Sequence, residues 1–191
     1  MEDWDYSRGF WRFVVGLLLI FLAASFLGYA YSLHNPENTL RIVRKLAEHM
    51  GSPPSSDVHT FLKIFANNSM VALLSTVSGL LFGLGPWLIM AFNGFIAGLV
   101  VGFVTETGKY SFTQTLLGLM PHGVIEIPAL AIAGAAGVIW YREIVSGEGS
   151  GTERFKRGMR KALTMLALSV LLLLIAALIE TYVTPKVSGI G

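Results

Sequence analysis

The sequence predicts an all-α membrane protein, and three observations support this fold class. Only 14% of the 191 residues are charged and 53% are hydrophobic, whereas a soluble domain has about 25% charged residues. The mean hydropathy is +0.63. Several apolar segments reach the roughly 20 residues that a helix needs to cross a bilayer. We therefore expect one integral membrane domain over residues 1–191.

Composition and charge exclude several functional classes. The chain has no cysteine, which excludes disulfide frameworks, zinc-cysteine sites and thiol nucleophiles. Its 14 basic and 12 acidic residues leave a net charge of +2, which is too balanced for a protein that binds nucleic acid through its phosphates. The sequence has no His-Glu-x-x-His, Gly-x-Ser-x-Gly or P-loop pattern. We expect no enzyme, no cofactor and no nucleic-acid partner.

About five segments are predicted to be transmembrane helices. They cover residues 13–33, 61–84, 87–104, 122–141 and 161–182. The first follows a polar start that is as acidic as it is basic, so it is interpreted as a retained anchor and not as a cleaved signal peptide. Glycines followed by Pro86 break the chain between the second and third segments. A break this short predicts a tight turn at the membrane edge.

The fourth segment is predicted to be a broken helix. As one helix, residues 112–141 would measure about 45 Å, which exceeds the roughly 30 Å hydrocarbon core. Pro121 and Gly123 interrupt this stretch. Residues 112–120 are therefore expected to form an interfacial or re-entrant piece that leads into the spanning helix.

A short amphipathic helix is predicted outside the membrane at residues 36–50. Asn35 supplies an N-cap and Pro36 suits the first turn of a helix. Apolar residues recur at helical spacing, and basic residues lie on the other faces. The helix either packs on the membrane domain or offers a docking surface to a partner.

The distribution of basic residues favours a cytoplasmic amino terminus. With this orientation eight of the 14 Lys and Arg residues lie inside and six lie outside, and cytoplasmic loops carry the excess of positive charge. We therefore expect a multi-pass protein of the cell membrane.

Two stripes of small residues predict close helix packing, because small side chains let helices approach each other in lipid. We expect the two stripes to pack against each other within one chain. Pairing of two copies of the chain through one stripe is the alternative. The stripes consist of Gly94, Gly98 and Gly102 on the third segment and of Ala129, Ala133 and Gly137 on the fourth.

Four polar side chains are predicted to form one cluster in the outer half of the membrane: Asn68, Asn93, His122 and Glu126. His122 and Glu126 are four residues apart and share a helix face, and an intramembrane carboxylate faces the protein interior or a wet cavity. Three interpretations stay open. The cluster is a hydrogen-bonded structural pair at the broken helix, a proton or cation site, or part of a metal-dependent hydrolase, for which one histidine and one glutamate are too few ligands.

The motifs of residues 60–140 resemble a known family. Asn67-Asn68 opens one membrane helix, Asn93-Gly94-x-x-x-Gly98 lies on the next, and Pro121-His122-Gly123-x-x-Glu126-x-x-Ala129 is followed by Ala133-Gly134 and Gly137. Together these motifs are similar to those of the stage II sporulation protein M family of integral membrane proteins.

The resemblance implies a multi-span, non-enzymatic membrane component. In spore formers the named member anchors two partners that degrade peptidoglycan during engulfment, and some relatives are suspected permeases. We expect a structural or assembly component of a membrane complex, whose partners are the bilayer, other membrane or envelope proteins and further copies of the chain. The alternative is a transporter or channel subunit that moves protons, cations or a small solute through the cluster around His122 and Glu126.

Overall fold

Every regular element of the described chain is a helix. The computed structural model describes residues 6–50, 57–108, 112–184 and 186. The prediction of an all-α protein is therefore confirmed. The six helices are α1 (Tyr6–His34), α2 (Pro36–Met50), α3 (Asp57–Ser78), α4 (Gly85–Glu106), α5 (Phe112–Ser146) and α6 (Gly151–Tyr182).

Four of these helices are long and apolar enough to cross a membrane. They are α1 over Gly9–His34, α4 over Gly85–Glu106, α5 over Gly123–Ser146 and α6 over Gly151–Tyr182. The remaining predicted span, 61–84, corresponds to α3, which has 22 residues. Lys63, Asn67 and Asn68 lower the hydropathy of α3, and α3 is not among the four.

The turn between α3 and α4 lies at residues 79–84. Phe82 and Gly83 adopt left-handed backbone, with φ of 55° and 73°. Pro86 lies in the first turn of α4, where its missing N–H has no helical partner to lose. The predicted interruption before Pro86 is therefore present in the structure.

The predicted break in the fourth segment is wrong, because α5 continues as one helix of 35 residues with Pro121 and Pro128 inside it. Gly123 also lies within the helix. A proline removes a single backbone hydrogen bond, whereas a true break would free several polar groups that lipid cannot satisfy. A continuous helix therefore costs less free energy in the membrane than a broken one.

The helix α5 forms the centre of the bundle. All residues from Ala129 to Trp140 are buried, whereas the other three membrane-length helices keep large apolar side chains exposed. Examples are Leu19 at 61%, Phe26 at 71% and Leu171 at 55% exposure. These exposed apolar faces suit contact with lipid chains.

The glycines of α4 pack against α1 and not against α5, so the predicted partner of this stripe is wrong. A Cβ added at Gly94 would overlap the carbonyl oxygen of Phe21, and one added at Gly98 would overlap that of Ser25. The sequence shows that this face is bare backbone but not which neighbour meets it. Since residue numbers increase together along the contact, α1 and α4 run parallel.

The small residues of α5 meet α3. Thr76 Oγ1 donates a hydrogen bond to the carbonyl oxygen of Ala133 at 2.9 Å. A Cβ added at Gly79 would overlap the backbone of Gly137. Residue numbers increase together along this contact, from Thr76 and Ala133 to Gly79 and Gly137, so α3 and α5 run parallel.

The helices α5 and α6 form an antiparallel pair. Ser169 Oγ donates to the carbonyl oxygen of Ala129 at 2.7 Å. Near the connecting loop, the Glu143 carboxylate accepts from Arg157 Nε at 2.6 Å and from Lys161 Nζ at 2.9 Å. These bonds join the two helices at Ala129 and again at Glu143, near the connecting loop.

The first helical residue of α6 is Gly151, ten residues before the predicted span begins. Ser150 Oγ accepts from the Glu153 N–H at 3.3 Å, and Glu153 Oε2 accepts from the Ser150 N–H at 2.8 Å. This capping box satisfies two backbone donors at the start of the helix. The 32 residues of α6 measure about 48 Å, so its charged beginning extends beyond the hydrocarbon core.

We expect Gly98→Val to destabilise the protein, because its side chain would overlap the backbone of α1 at Ser25. Overpacking of this kind lowers the free energy of unfolding by about 1–3 kcal/mol. Thermal unfolding in detergent, followed by circular dichroism, measures the change. The control is Gly123→Ala, whose added Cβ meets only Ile127 Cδ1 at 3.7 Å. Equal stability of Gly98→Val and the wild type would contradict the α1–α4 contact.

Candidate functional site

The carboxylate of Glu126 is held between helices by Asn68. Glu126 lies on α5 and accepts a hydrogen bond from the Asn68 side chain on α3. Asn68 is only 8% exposed, and its Oδ1 accepts from Asn67 Nδ2 at 3.2 Å. The amide of Asn68 is therefore oriented with its N–H toward the carboxylate. The structure brings these two predicted site residues into direct contact.

A second carboxylate, Glu180, lies close enough to Glu126 to repel it electrostatically. The sequence places Glu180 at the end of the last span and outside the polar cluster. The pairing of α5 with α6 explains why Glu180 lies near Glu126. Glu126 lies 17 residues before Glu143, and Glu180 lies 19 residues after Lys161, which pairs with Glu143. In an antiparallel pair these nearly equal separations bring the two carboxylates to a similar depth.

Glu126 also lines a cavity of about 600 Å³ between α1, α4 and α5. Most of its wall is apolar, for example Phe21 and Ile127. Asn93, a further predicted site residue, lines the same cavity from α4. Asn93 Nδ2 donates to the carbonyl oxygen of Ile89 at 2.8 Å. The amide is thus tied to its own helix while it borders the cavity.

Two polar residues of α1 complete the cavity wall. Ser25 and Tyr29 line it beside Gly98. The hydroxyl of Ser25 is buried and has no hydrogen-bond partner. Neither residue belongs to the predicted cluster, because a serine and a tyrosine within a long apolar helix give no signal of their own. Their position follows from the parallel α1–α4 contact.

His122 lies on α5 one turn before Glu126. Its side chain falls outside the part of the chain that the structure describes, so the predicted His122–Glu126 pair stays a prediction. Of the other three predicted cluster residues, Asn68 bonds to Glu126, and Asn93 lines the same cavity as Glu126.

The chemistry available to the cavity follows from Glu126, the one carboxylate among its described wall residues. A carboxylate away from bulk water requires hydrogen-bond donors, a proton or a counter-charge. Asn68 supplies one donor, and the open cavity leaves room for a further group on the Glu126 side chain. Among the described residues, no group of three or more His, Asp or Glu side chains could hold a metal ion.

Fold and site together define the class of the protein: an all-α integral membrane protein with a carboxylate in the wall of a cavity between α1, α4 and α5. The profile described as stage II sporulation protein M matches residues 13–185. Because this match covers most of the chain, the protein belongs to the stage II sporulation protein M family. The family predicted from residues 60–140 is thus confirmed, and the match extends over the first and last helices.

Two curated relatives come from Methanocaldococcus jannaschii, and both carry the name uncharacterized protein. One is 33% identical over 133 residues, covering 67% of this chain and 72% of the relative. The other is 31% identical over 138 residues, covering 70% of this chain and 60% of the relative. No solved structure matches the chain.

Proposed function

We propose that the cavity beside Glu126 carries the function of this membrane protein, as the binding site of a non-enzymatic transporter or channel subunit. The solute is a proton, a cation or a small molecule with a cationic group. The observation that carries the proposal is the Glu126 carboxylate in the wall of a cavity of about 600 Å³.

The composition of the cavity supports a ligand and not a purely structural role. Ligand pockets measure roughly 300–1,000 Å³ and combine apolar walls with a few polar groups that orient the ligand. Ser25, Tyr29 and Asn93 are such groups, and Glu126 supplies the charge. A structural hydrogen bond between Asn68 and Glu126 alone would not require open space on the other side of the carboxylate.

We expect Glu126→Gln to lower proton or cation flux into proteoliposomes by about tenfold or more. The reason is that a hydrogen bond to a charged group is worth about 1.5–3 kcal/mol, and 1.4 kcal/mol corresponds to tenfold. Asn68→Ala should lower the flux to a smaller extent, because it removes the donor to Glu126. The measurement uses a pH-sensitive or cation-sensitive dye inside the vesicles.

The control is Asn38→Ala, since Asn38 is exposed on α2 and does not line the cavity. Its flux should equal that of the wild type. Wild-type vesicles no more permeable than empty vesicles, or unchanged flux in Glu126→Gln, would refute the transport proposal.

A structural or assembly role in a membrane complex is the second candidate, and α2 is the observation that favours it. This helix lies outside the four apolar spans and contacts α1 and α4. Arg41, Arg44 and Lys45 are exposed on it. An exposed basic face beside the membrane suits an acidic surface of a membrane or envelope protein.

We expect the triple variant Arg41→Ala/Arg44→Ala/Lys45→Ala to lose a complex that the wild type forms in native membranes. Chemical crosslinking followed by purification in mild detergent and native mass spectrometry measures this loss. The control is Lys156→Ala/Arg160→Ala, which removes exposed basic residues of α6 instead. If the wild type purifies only as a free monomer, the assembly role is excluded.

We also propose a multi-pass topology with the amino terminus in the cytoplasm. Parallel α1 and α4, parallel α3 and α5 and antiparallel α5 and α6 are consistent with five alternating passes. In this arrangement α3 also crosses the membrane, packed beside the buried centre of α5. The charged loop and the beginning of α6 then lie inside, as positive residues prefer.

The absence of cysteine allows a direct test of this topology. We expect Asn38→Cys on α2 to react with a membrane-impermeant thiol reagent in intact cells, because α2 would lie outside. Thr152→Cys at the start of α6 should react only after the cells are opened. Both positions are exposed in the structure. The reverse labelling pattern would invert the topology.

A further inference from the structure

The outer side of α3 carries an exposed amide, that of Asn67. Asn67 Nδ2 donates a hydrogen bond to Asn68 Oδ1 at 3.2 Å, and Asn68 in turn donates to Glu126. These three side chains therefore follow one another from the interior of the bundle to its surface. The chain of hydrogen bonds ends at an amide that the described helices leave exposed.

The contacts of Glu126 fix the depth of this amide. On α1 the wall of the Glu126 cavity runs from Phe21 to Tyr29 and is centred on Ser25. Ser25 lies nine residues from the nearer end of the apolar span Gly9–His34, or about 14 Å at 1.5 Å per residue. Glu126 is therefore well inside the membrane, and Asn67 lies at the same depth through Asn68.

Lipid chains are a poor neighbour for an amide at this depth. In hydrocarbon an unpaired polar group is costly, and polar side chains of membrane helices bond across to other helices. The helix α3 also falls outside the four spans that are apolar enough to cross a membrane by themselves. Both observations indicate that protein covers the outer side of α3.

The side chains around Asn67 suit a contact between two helices. Lys63, Ala66, Asn67, Met70 and Leu74 are all exposed and lie three or four residues apart, on one side of the helix. We call this surface the α3 face. Its alanine permits close approach, and its two large apolar side chains supply packing. Lys63 lies toward the end of the helix, where a long side chain can extend to the headgroups.

We propose that the α3 face pairs with the α3 face of a second copy of this chain. Copies of one chain share one orientation in the membrane. Two α3 helices therefore meet in parallel, around a two-fold axis along the membrane normal, and Asn67 meets the partner's Asn67 at equal depth.

The amide of Asn67 is self-complementary, which favours a second copy over a different protein. An amide has two N–H donors and an acceptor oxygen. Asn68 uses one N–H of Asn67, so the other N–H and the oxygen are available to exchange two hydrogen bonds with the partner's Asn67. In the dimer, hydrogen bonds then connect the two Glu126 carboxylates through the amides of both copies.

Disulfide crosslinking in native membranes identifies the occupant. The chain has no cysteine, so a single introduced cysteine can form a disulfide only with another molecule. We expect Met70→Cys to give dimers of twice the chain mass after oxidation with copper phenanthroline. The matched control is Ala23→Cys, which is exposed on α1, a helix without contact to α3 in the described chain. It should remain monomeric.

Energy transfer between labelled copies in vesicles, at increasing dilution with lipid, measures the affinity. The dyes are attached to Thr152→Cys, an exposed position at the start of α6. Asn67→Leu should weaken the dimer by about tenfold, because two modest interhelical hydrogen bonds are lost. Asn67→Gln keeps an amide and should still dimerise.

A steric pair of variants tests the face without removing the amide. Ala66→Phe prevents close approach and should also weaken the dimer by about tenfold or more. Ala23→Phe makes the same change on the exposed side of α1 and should dimerise as the wild type does. Thermal unfolding in detergent verifies that each variant is folded.

Four results would overturn the proposal. The wild type is monomeric at every lipid dilution, Asn67→Leu dimerises as tightly as the wild type, Ala23→Cys crosslinks as readily as Met70→Cys, or Met70→Cys crosslinks only to a different protein. None of these measurements depends on flux through the Glu126 cavity, so the dimer and the transport proposal can fail separately.

Discussion

Direct backbone contact between α1 and α4 is the constraint on which the arrangement of this protein depends. Lipid chains are as apolar as the helices, so close packing and not hydrophobic burial holds membrane helices together. Glycines on both helices allow this approach. A Cβ added at Gly28 of α1 would overlap the backbone of Phe95, and a Cβ added at Gly98 of α4 would overlap the backbone of Ser25. Ser25 and Gly98 are also wall residues of the cavity beside Glu126. The contact that joins the two helices therefore also sets the position of the site.

The helix α5 supplies the other half of the site, and its two ends differ in packing. The segment from Ala129 to Trp140 is alanine-rich and fully buried, and the carbonyl oxygens of Ala129 and Ala133 accept hydrogen bonds from Ser169 of α6 and Thr76 of α3. One turn earlier the burial decreases, and Glu126 lies there. A carboxylate within the packed half would have neither water nor room for a counter-charge. At the edge of the core it has Asn68 on one side and open space on the other.

Much of the fold and of the candidate site can be predicted from the sequence. The remaining features depend on which helix faces contact each other. The deficit of charge predicts a membrane protein, and α2 has the predicted bounds of 36–50. A stripe of glycines shows that a helix has a bare face but does not name the neighbour, so α1 could not be distinguished from α5. The helix α5 continues through Pro121 because lipid offers no water to the backbone groups that a break would free. The local sequence around a proline does not show this. Glu180 enters the site only through the antiparallel register set by Glu143 and Lys161.

A second cavity, of about 340 Å³, follows the one beside Glu126 along α1 and α4. Tyr29 of α1 lines the first, and Ser32, three residues further, lines the second. On α4 the order is the same, with Val101 in the first wall and Glu106 in the second. Gly102 lies between the α4 wall residues of the two cavities and brings α4 against Ser32 of α1, so the glycine contact that joins the two helices also separates the two cavities.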